Sequence, residues 1–397
     1  MEIELPRLAV FFGPNATGKS NILDAIQALS RVVTSRTLSE ALADPIRGYP
    51  IESFEFPTGG LPELLGMEKA EFSLEADLQV RESIYRYRVA VGINPASGKL
   101  GVEDEYLAEL DKKNQSKGHP RIEKAEDVLR IRRKSKPAHP KEEKTGGNHT
   151  ILSDARFSGE EYRAMERCRQ ELAGWRTYYL DPRMAMRSAR SPSDVQDIGV
   201  LGEDIAPFLY KLKNIKPKAF KSIERTLRAL IPSIESLMVD LDTRRGVLDI
   251  QIRQHGCDFS SRIISEGTLR VLALCSIVAN PWDSSLTAFE EPENGVHPKR
   301  LELIAKMLCS LAEQSERQIV VTSHSPICCD AILRQAYVKP DDIHLFVVSR
   351  DGRATRVAPL NVKSPLFDKG TEIDEGLASH AEDGTFEHLM LRGYLDE

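Results

Sequence analysis

The 397-residue sequence has two tryptophans, six cysteines and 6% aromatic residues, and no apolar run near the 18 or more residues that a membrane span needs. Its first residues, Met1-Glu-Ile-Glu-Leu-Pro-Arg7, lack the basic segment and apolar stretch of a secretory leader. No membrane span is expected, and a cytoplasmic location is. The cysteines (Cys168, Cys257, Cys275, Cys309, Cys328, Cys329) include no C-x-x-C pair, and the adjacent Cys328 and Cys329 are poorly placed to bridge each other, so reduced, mostly buried thiols are expected. A large charge of one sign is also missing, because 54 Lys+Arg against 60 Asp+Glu give −6. The 25 Gly and 22 Pro follow no collagen-like period, and 41% hydrophobic residues are too many for a disordered chain. What remains is a folded protein with room for two or three domains, or for one large core with an insertion.

Hydrophobic patterning gives the elements. Leu8 to Phe12 is a continuous apolar run, followed by a glycine-containing loop and then by Ile22, Leu23, Ala25, Ile26, Leu29, Val32 and Val33 at helical spacing. Phe72, Leu74, Ala76, Leu78 and Val80 alternate with polar residues, and Ile84 to Val91 follows a short polar turn, the pattern of an antiparallel hairpin with one solvated face. A similar hairpin is expected from Leu237, Val239 and Leu241 to Leu248, Ile250 and Ile252. The apolar runs Leu286 to Phe289 and Ile319 to Val321 flank a helical pattern at Leu301, Ile304, Met307, Leu308 and Leu311, which reads as a parallel sheet with a crossover helix. From Lys112 to Lys144 there are twelve Lys/Arg against five Asp/Glu and few aliphatics, a local net charge of +7. Composition makes this segment a solvated, partly disordered insertion or lid, or else a DNA or RNA contact through Arg130, Arg132, Arg133, Lys134 and Lys136.

Four short motifs carry chemistry. Gly13-Pro14-Asn15-Ala16-Thr17-Gly18-Lys19-Ser20 fits G-x-x-x-x-G-K-[ST] and sits between a buried strand and a helix. There the glycines let backbone wrap phosphate oxygens, the helix start favours an anion, Lys19 reaches the outer phosphates and Ser20 can ligate Mg²⁺. Leu286 to Phe289 ends in Glu290 and Glu291, whose side chains alternate, one expected towards a metal and the other towards an attacking water. Thr322-Ser323-His324-Ser325-Pro326 places an imidazole at the carboxyl end of a buried strand, the edge where open α/β sheets bind ligands. Ser265-Glu266-Gly267-Thr268 opens a further helix and offers a second anion-binding end, though alone it is no more than an N-cap.

In this order the motifs resemble the ABC-type ATPase heads of the SMC, RecF and OLD group, most closely its compact bacterial "AAA family ATPase" proteins, over nearly the whole chain. Gly13 to Ser20 is similar to Walker A, Ser265-Glu-Gly-Thr-Leu-Arg270 to a shortened signature motif, and Leu286 to Glu291 to Walker B with its catalytic glutamate. Glu293 to Pro298 is similar to the D-loop, His324 to the switch histidine, and Tyr178 to Pro182 to the segment before the helical arm. The resemblance implies an α/β P-loop NTPase head with a mixed sheet, an antiparallel β subdomain and a helical arm carrying the signature. The implied division is 1–105 (first part of the head), 106–200 (insertion with the basic segment) and 201–397 (arm and remainder of the head). It further implies ATP and Mg²⁺ as cofactors, with ATP held by residues 13 to 20, Asn21, Ser265, Glu266, Gly267 and Thr268. Ser20 and Glu290 would bind the metal, and Lys19, Glu291 and His324 would act in catalysis. Two heads would sandwich two ATP molecules as a homodimer or higher even oligomer, with Ser265 and Gly267 acting in trans.

Three departures qualify the resemblance. Glu290 stands where most of these ATPases have aspartate, so slow hydrolysis is expected. The sequence starts seven residues before the strand leading into the P-loop, so the family's first strand and adenine-side contacts are expected upstream or from another element. Gln79 falls too late for the Q-loop glutamine, and the loop from Phe56 to Met67 has none. The function so implied is an ATP-hydrolysing, dimerising switch in DNA-linked maintenance or anti-phage defence. The stretch after Leu360 is too short and too poor in acidic clusters for a nuclease domain, so a nuclease or other effector would be a separate protein. The alternatives are a non-hydrolysing, nucleotide-gated scaffold and a transporter ATPase subunit, the latter disfavoured by the signature, the D-loop and the long insertion.

Overall fold

The structure, a computed structural model, describes residues 1–43, 48–282, 284–314, 317–339 and 341–360. The stretch after Leu360, read above as too short for a nuclease, lies outside the described residues. The chain forms β1 (Leu8–Phe12), α1 (Lys19–Thr34), the short helices α2 (Leu38–Ala41) and α3 (Gly60–Leu65), then β2 (Ala70–Val80), β3 (Ser83–Asn94), β4 (Lys99–Leu110), β5 (Ile122–Ala125), β6 (Val128–Ile131) and β7 (Lys141–Lys144). Next come α4 (Arg163–Ala173), β8 (Trp175–Tyr178), α5 (Ile205–Ile215), α6 (Pro217–Leu230), β9 (Ile234–Asp242), β10 (Val247–Gln254), β11 (Cys257–Ser260) and α7 (Glu266–Val278). The last are β12 (Leu286–Glu290), α8 (Leu301–Gln314), β13 (Gln318–Ser323), α9 (Pro326–Val338), β14 (Ile343–Asp351) and β15 (Ala354–Pro359). No helix among the described residues is long and apolar enough to cross a membrane. Five of the cysteines are buried, Cys257 is exposed, and all six are free thiols.

The elements fall into two compact units, one of Met1–Leu23 with the chain from Arg176 onward, the other of Asp24–Trp175. A division after residue 105 would cut β4, which continues to Leu110 in register with β3.

In the first unit six strands form a sheet in the order β15-β14-β1-β13-β12-β8. β1 lies parallel between β13 and β14, with Val10 opposite both Val321 and Leu345, and β12 is parallel to β13. A parallel strand covered on both faces needs apolar residues at every position rather than at alternate ones, and all five residues of β1 are buried. Because β1, β12 and β13 run the same way, Phe12, Glu290 and Ser323 end at one edge, Phe12 opposite Ser323 and Glu290 opposite Thr322. The core of this unit joins the sheet to the helices, with Leu209, Leu212, Ile223, Leu227 and Leu272 buried and Tyr178 stacked on Phe289. β9, β10 and β11 make a small antiparallel sheet in which Leu237, Val239 and Leu241 face Ile252, Ile250 and Leu248.

The second unit is built on an antiparallel sheet ordered β2-β3-β4-β5-β6-β7. Its first hairpin pairs Phe72 with Val91 and Leu78 with Tyr85, and its own core contains Tyr87, Val89, Leu107, Ile151 and Leu172. The basic segment, expected as a solvated insertion, supplies three strands of this sheet. Ile122, Leu129 and Ile131 alternate with polar residues and are buried at 0%, 2% and 0% exposure. Each strand is only four residues long, too short for a period of two to stand out against the surrounding charge.

Candidate active site

The P-loop, residues 13 to 20, follows β1 and opens α1, and all of it belongs to the first unit. Ala16 and Gly18 adopt positive φ (65° and 100°), the left-handed turns that wrap the loop, and the β14–β15 hairpin leaves no room for side chains at Gly13 and Gly18. A Cβ on Gly13 would lie 2.2 Å from the Val348 carbonyl oxygen, and one on Gly18 would lie 2.1 Å from Thr355 Oγ1. Thr17 donates from Oγ1 to the Pro14 carbonyl at 2.9 Å, and Lys19 donates from Nζ to the carbonyls of Gly13 and Pro14, both at 2.7 Å. Lys19 is 6% exposed, and burial holds its ammonium below the ordinary lysine range against the opposing fields of Glu291, Glu290 and Glu293. Pro14, Asn15 and Ala16 are exposed, as is Asn21 in the first turn of α1.

The ends of β12 and β13 supply the carboxylates and the imidazole. Glu290 closes β12, and its Oε1 accepts the Ser20 hydroxyl at 2.6 Å. Glu291 turns at φ 43°, with its N–H on the Thr322 carbonyl at 3.0 Å, so the two acids diverge. Its Oε1 lies 2.9 Å from His324 Nδ1, and its Oε2 accepts from Asn294 Nδ2 at 2.6 Å. Behind this pair, Ser323 donates its hydroxyl to Glu293 Oε1 at 2.5 Å, while Glu293 Oε2 has no partner among the described residues. Burial pushes the Glu293 carboxyl up, partly offset by the Ser323 hydroxyl.

Ser265 caps α7, its Oγ accepting the Thr268 N–H at 3.2 Å and lying 2.8 Å from Thr268 Oγ1. Glu266 pairs with Arg183 at 2.6 Å. Gly267 packs against the turn after β12, where a Cβ would meet the Gly295 carbonyl oxygen at 2.1 Å. The structure therefore brings Lys19, Ser20, Glu290, Glu291 and His324 to one sheet edge, and ties the start of α7 to the Glu293 to Pro298 turn through Gly267.

Three further residues support this edge, Asn294 from within the Glu293 to Pro298 motif and Arg350 and Thr355 from outside any motif. Asn294 orients Glu291 from within the turn. Arg350 donates from Nη1 to the Ala16 carbonyl at 3.0 Å, and Thr355 from Oγ1 to the Thr17 carbonyl at 2.9 Å, so the β14–β15 hairpin braces the P-loop. The only hint of these two is their place near the end of an α/β chain whose last strands must pair somewhere.

The donors fit a nucleotide with Mg²⁺. Loop backbone in left-handed turns and a buried ammonium bonded, among the described residues, only to loop carbonyls suit phosphate oxygens, and one hydroxyl with one carboxylate suits a metal that keeps waters and phosphate oxygens as its other ligands. No cluster of three or more His, Cys, Asp or Glu able to hold a metal by itself occurs among the described residues.

Among solved structures, an SMC head bound to the C-terminal winged-helix domain of ScpA is similar at a TM-score of 0.51 and 15% identity, covering 91% of this chain and 92% of that one. The SMC head domain from Thermotoga maritima matches at 0.40 and 15%, covering 91% and 93%. An SMC head from Pyrococcus furiosus, bound to the C-terminal domain of ScpA, matches at 0.46 and 12%, covering 91% and 92%. No curated protein matches. At this identity the first likeness shows the fold, a P-loop NTPase head of the ABC type. The family description "AAA domain, putative AbiEii toxin, Type IV TA system" matches residues 8–330, and the chain belongs to that family.

Proposed function

We propose that the chain binds ATP with Mg²⁺, hydrolyses it, and uses the cycle to open and close a dimer of heads. The observation that carries this reading is the meeting, at one sheet edge, of the Ser20–Glu290 contact at 2.6 Å and the Glu291–His324 contact at 2.9 Å. Ser20 and Glu290 would hold Mg²⁺, which neutralises phosphate charge when bound. Lys19 would move from the loop carbonyls to the outer phosphates. Glu291, oriented by His324 and Asn294, would position the attacking water and take up its proton, and His324 would sense the γ-phosphate. Catalysis of this kind is chiefly positioning and electrostatics. Ser265, Glu266, Gly267 and Thr268 would meet the nucleotide held by the other protomer's P-loop.

The expected assay is Mg²⁺-dependent phosphate release, with Lys19→Ala as the blank. Glu291→Gln should lower turnover by about 100-fold or more while ATP still binds and the dimer accumulates. Turnover at the parental rate in Glu291→Gln, with the protein still monomeric, would sink the reading. The second reading, a nucleotide-gated scaffold without hydrolysis, draws on the glutamate at position 290 and would be favoured by no turnover above the blank. The Ser20–Glu290 distance argues against it, since the longer side chain still reaches the serine. A DNA-linked or anti-phage role with a separate effector, and nucleic-acid contact through residues 112 to 144, complete the proposal. For that contact, Arg130 and Lys134 are already paired with Glu142 and Glu160, and Arg132 is buried against Glu123.

A further inference from the structure

The second unit holds a cavity of about 200 Å³, lined by five cations (Arg121, Arg132, Lys134, Arg163 and Arg167) and two carboxylates (Glu109 and Glu161). Both carboxylates are engaged. Glu109 meets Lys117 and the Ser83 hydroxyl, each at 3.2 Å, and Glu161 accepts the Ser135 hydroxyl at 2.6 Å. Three of the cations are paired with carboxylates outside the lining: Arg132 with Glu123 at 2.5 Å, and Lys134 and Arg163 with Glu160 at 3.0 and 3.4 Å. Arg121 and Arg167 make no side-chain hydrogen bond or ion pair among the described residues, although Arg167 lies in the field of Glu160, so the five cations outnumber the two carboxylates of the lining and two guanidiniums keep their N–H groups unbonded.

The backbone fixes this arrangement. Arg132 N donates to the Arg121 carbonyl at 2.9 Å, which sets the residue before β5 against the residue after β6, and Lys134 N donates to the Glu161 carbonyl at 2.9 Å, which holds the start of α4 beside them. Arg132 is 8% exposed and also donates to the Pro120 carbonyl, so its guanidinium is held in place. Arg163 and Arg167 stand at i and i+4 in the first turns of α4, where like charges repel and the helix dipole disfavours cations. An anion in the cavity would relieve both.

We propose that this cavity binds a phosphate group, contacted by Arg121 and Arg167 and surrounded by Arg132, Lys134 and Arg163. Several planar guanidinium forks suit a group with three or four acceptor oxygens better than a carboxylate with two. The volume is below the roughly 300 Å³ at which pockets for whole drug-sized ligands begin, and suits one phosphate with the start of its ester. The proposal needs nothing from the P-loop. It rests on the nucleic-acid reading of residues 112 to 144 only for the source of the phosphate.

The test uses the full chain with its P-loop filled by a non-hydrolysable ATP analogue and Mg²⁺. Inorganic phosphate is titrated by calorimetry, and a 5′-phosphorylated oligonucleotide by fluorescence anisotropy. Arg121→Gln/Arg167→Gln is expected to weaken phosphate binding at least tenfold while thermal midpoint and ATP turnover stay unchanged, and Arg167→Gln alone serves if the double variant does not fold. Lys136→Gln, exposed and outside the lining, is expected to bind inorganic phosphate as the parent does. An absence of saturable phosphate binding in the parent, or an equal loss in Lys136→Gln, overturns the site. Given phosphate binding that is lost in the double variant, a parallel loss of oligonucleotide binding assigns the phosphate to nucleic acid. Unchanged oligonucleotide binding supports the site with free phosphate as its occupant, and removes the nucleic-acid source instead.

Discussion

Glu291 turns through a left-handed conformation that costs a non-glycine residue about 1–3 kcal/mol, and the cost is met where β12 stops and His324 and Asn294 together fix the carboxylate. Alternation along a strand says that Glu290 and Glu291 point apart, but not that the second leaves the strand altogether. A different carboxyl, Glu105, shows a residue that no motif announces. It sits fully buried in the second unit, accepting the N–H groups of Ile151 and Leu152 at 2.6 and 2.9 Å and the Tyr87 hydroxyl at 3.1 Å. Burial nevertheless pushes its carboxyl up to about 7 from an ordinary value of 4.5. The native state therefore binds this proton more tightly than the unfolded chain. The stabilisation is full below pH 4.5, declines as pH rises, and is lost above about 7; it is on the order of 3 kcal/mol. Chemical denaturation from pH 4 to 8 should show this decline in the parent relative to Glu105→Gln, which cannot ionise there. A parent-minus-variant difference independent of pH would remove Glu105 as its source.

The helix after the P-loop, the two hairpins and the crossover helix between β12 and β13 are legible in the sequence because each repeats its period over enough residues to be counted. The same holds for the P-loop and the two acids, whose chemistry demands fixed residue types at fixed spacing. β5, β6 and β7 are not legible, since four-residue strands with two, three and no apolar residues are too short to show a period within a charged segment. Nor is the role of β14 and β15, because bracing the P-loop calls for a hydroxyl and a guanidinium in the right place rather than for a motif. That brace is testable at Thr355, whose Oγ1 bonds the Thr17 carbonyl beside Gly18. Thr355→Val keeps the side-chain shape and removes one partly buried hydrogen bond, a change of about 0.5–1.5 kcal/mol. ATP affinity, followed with a fluorescent analogue, should weaken by a factor of about 2 to 10, and stability should fall by no more than about 0.5–1.5 kcal/mol. Affinity equal to the parent's would mean that the hairpin does not shape the loop.

At the scale of the whole molecule, the proposed site is assembled from distant parts of the chain: the P-loop at residues 13 to 20, the acids and imidazole between 290 and 324, and the brace at 350 and 355. The start of α7 belongs to the same unit but is proposed to serve the other protomer's nucleotide, which fits the exposure of Ser265 against the burial of Lys19. Such a composite site makes a quantitative prediction. Lys19→Ala removes a P-loop cation and leaves the start of α7 intact. Ser265→Asp keeps a good N-cap but sets a negative charge where a γ-phosphate would lie. Each variant alone should be inactive. In an equal mixture half the dimers are mixed, and each mixed dimer has one intact site of two, the intact P-loop of one protomer facing the intact α7 of the other. With independent sites, turnover should recover to about one quarter of the parent's. Phosphate release at the sum of the two inactive proteins, with mixed dimers demonstrably formed, would instead place the whole site within one chain.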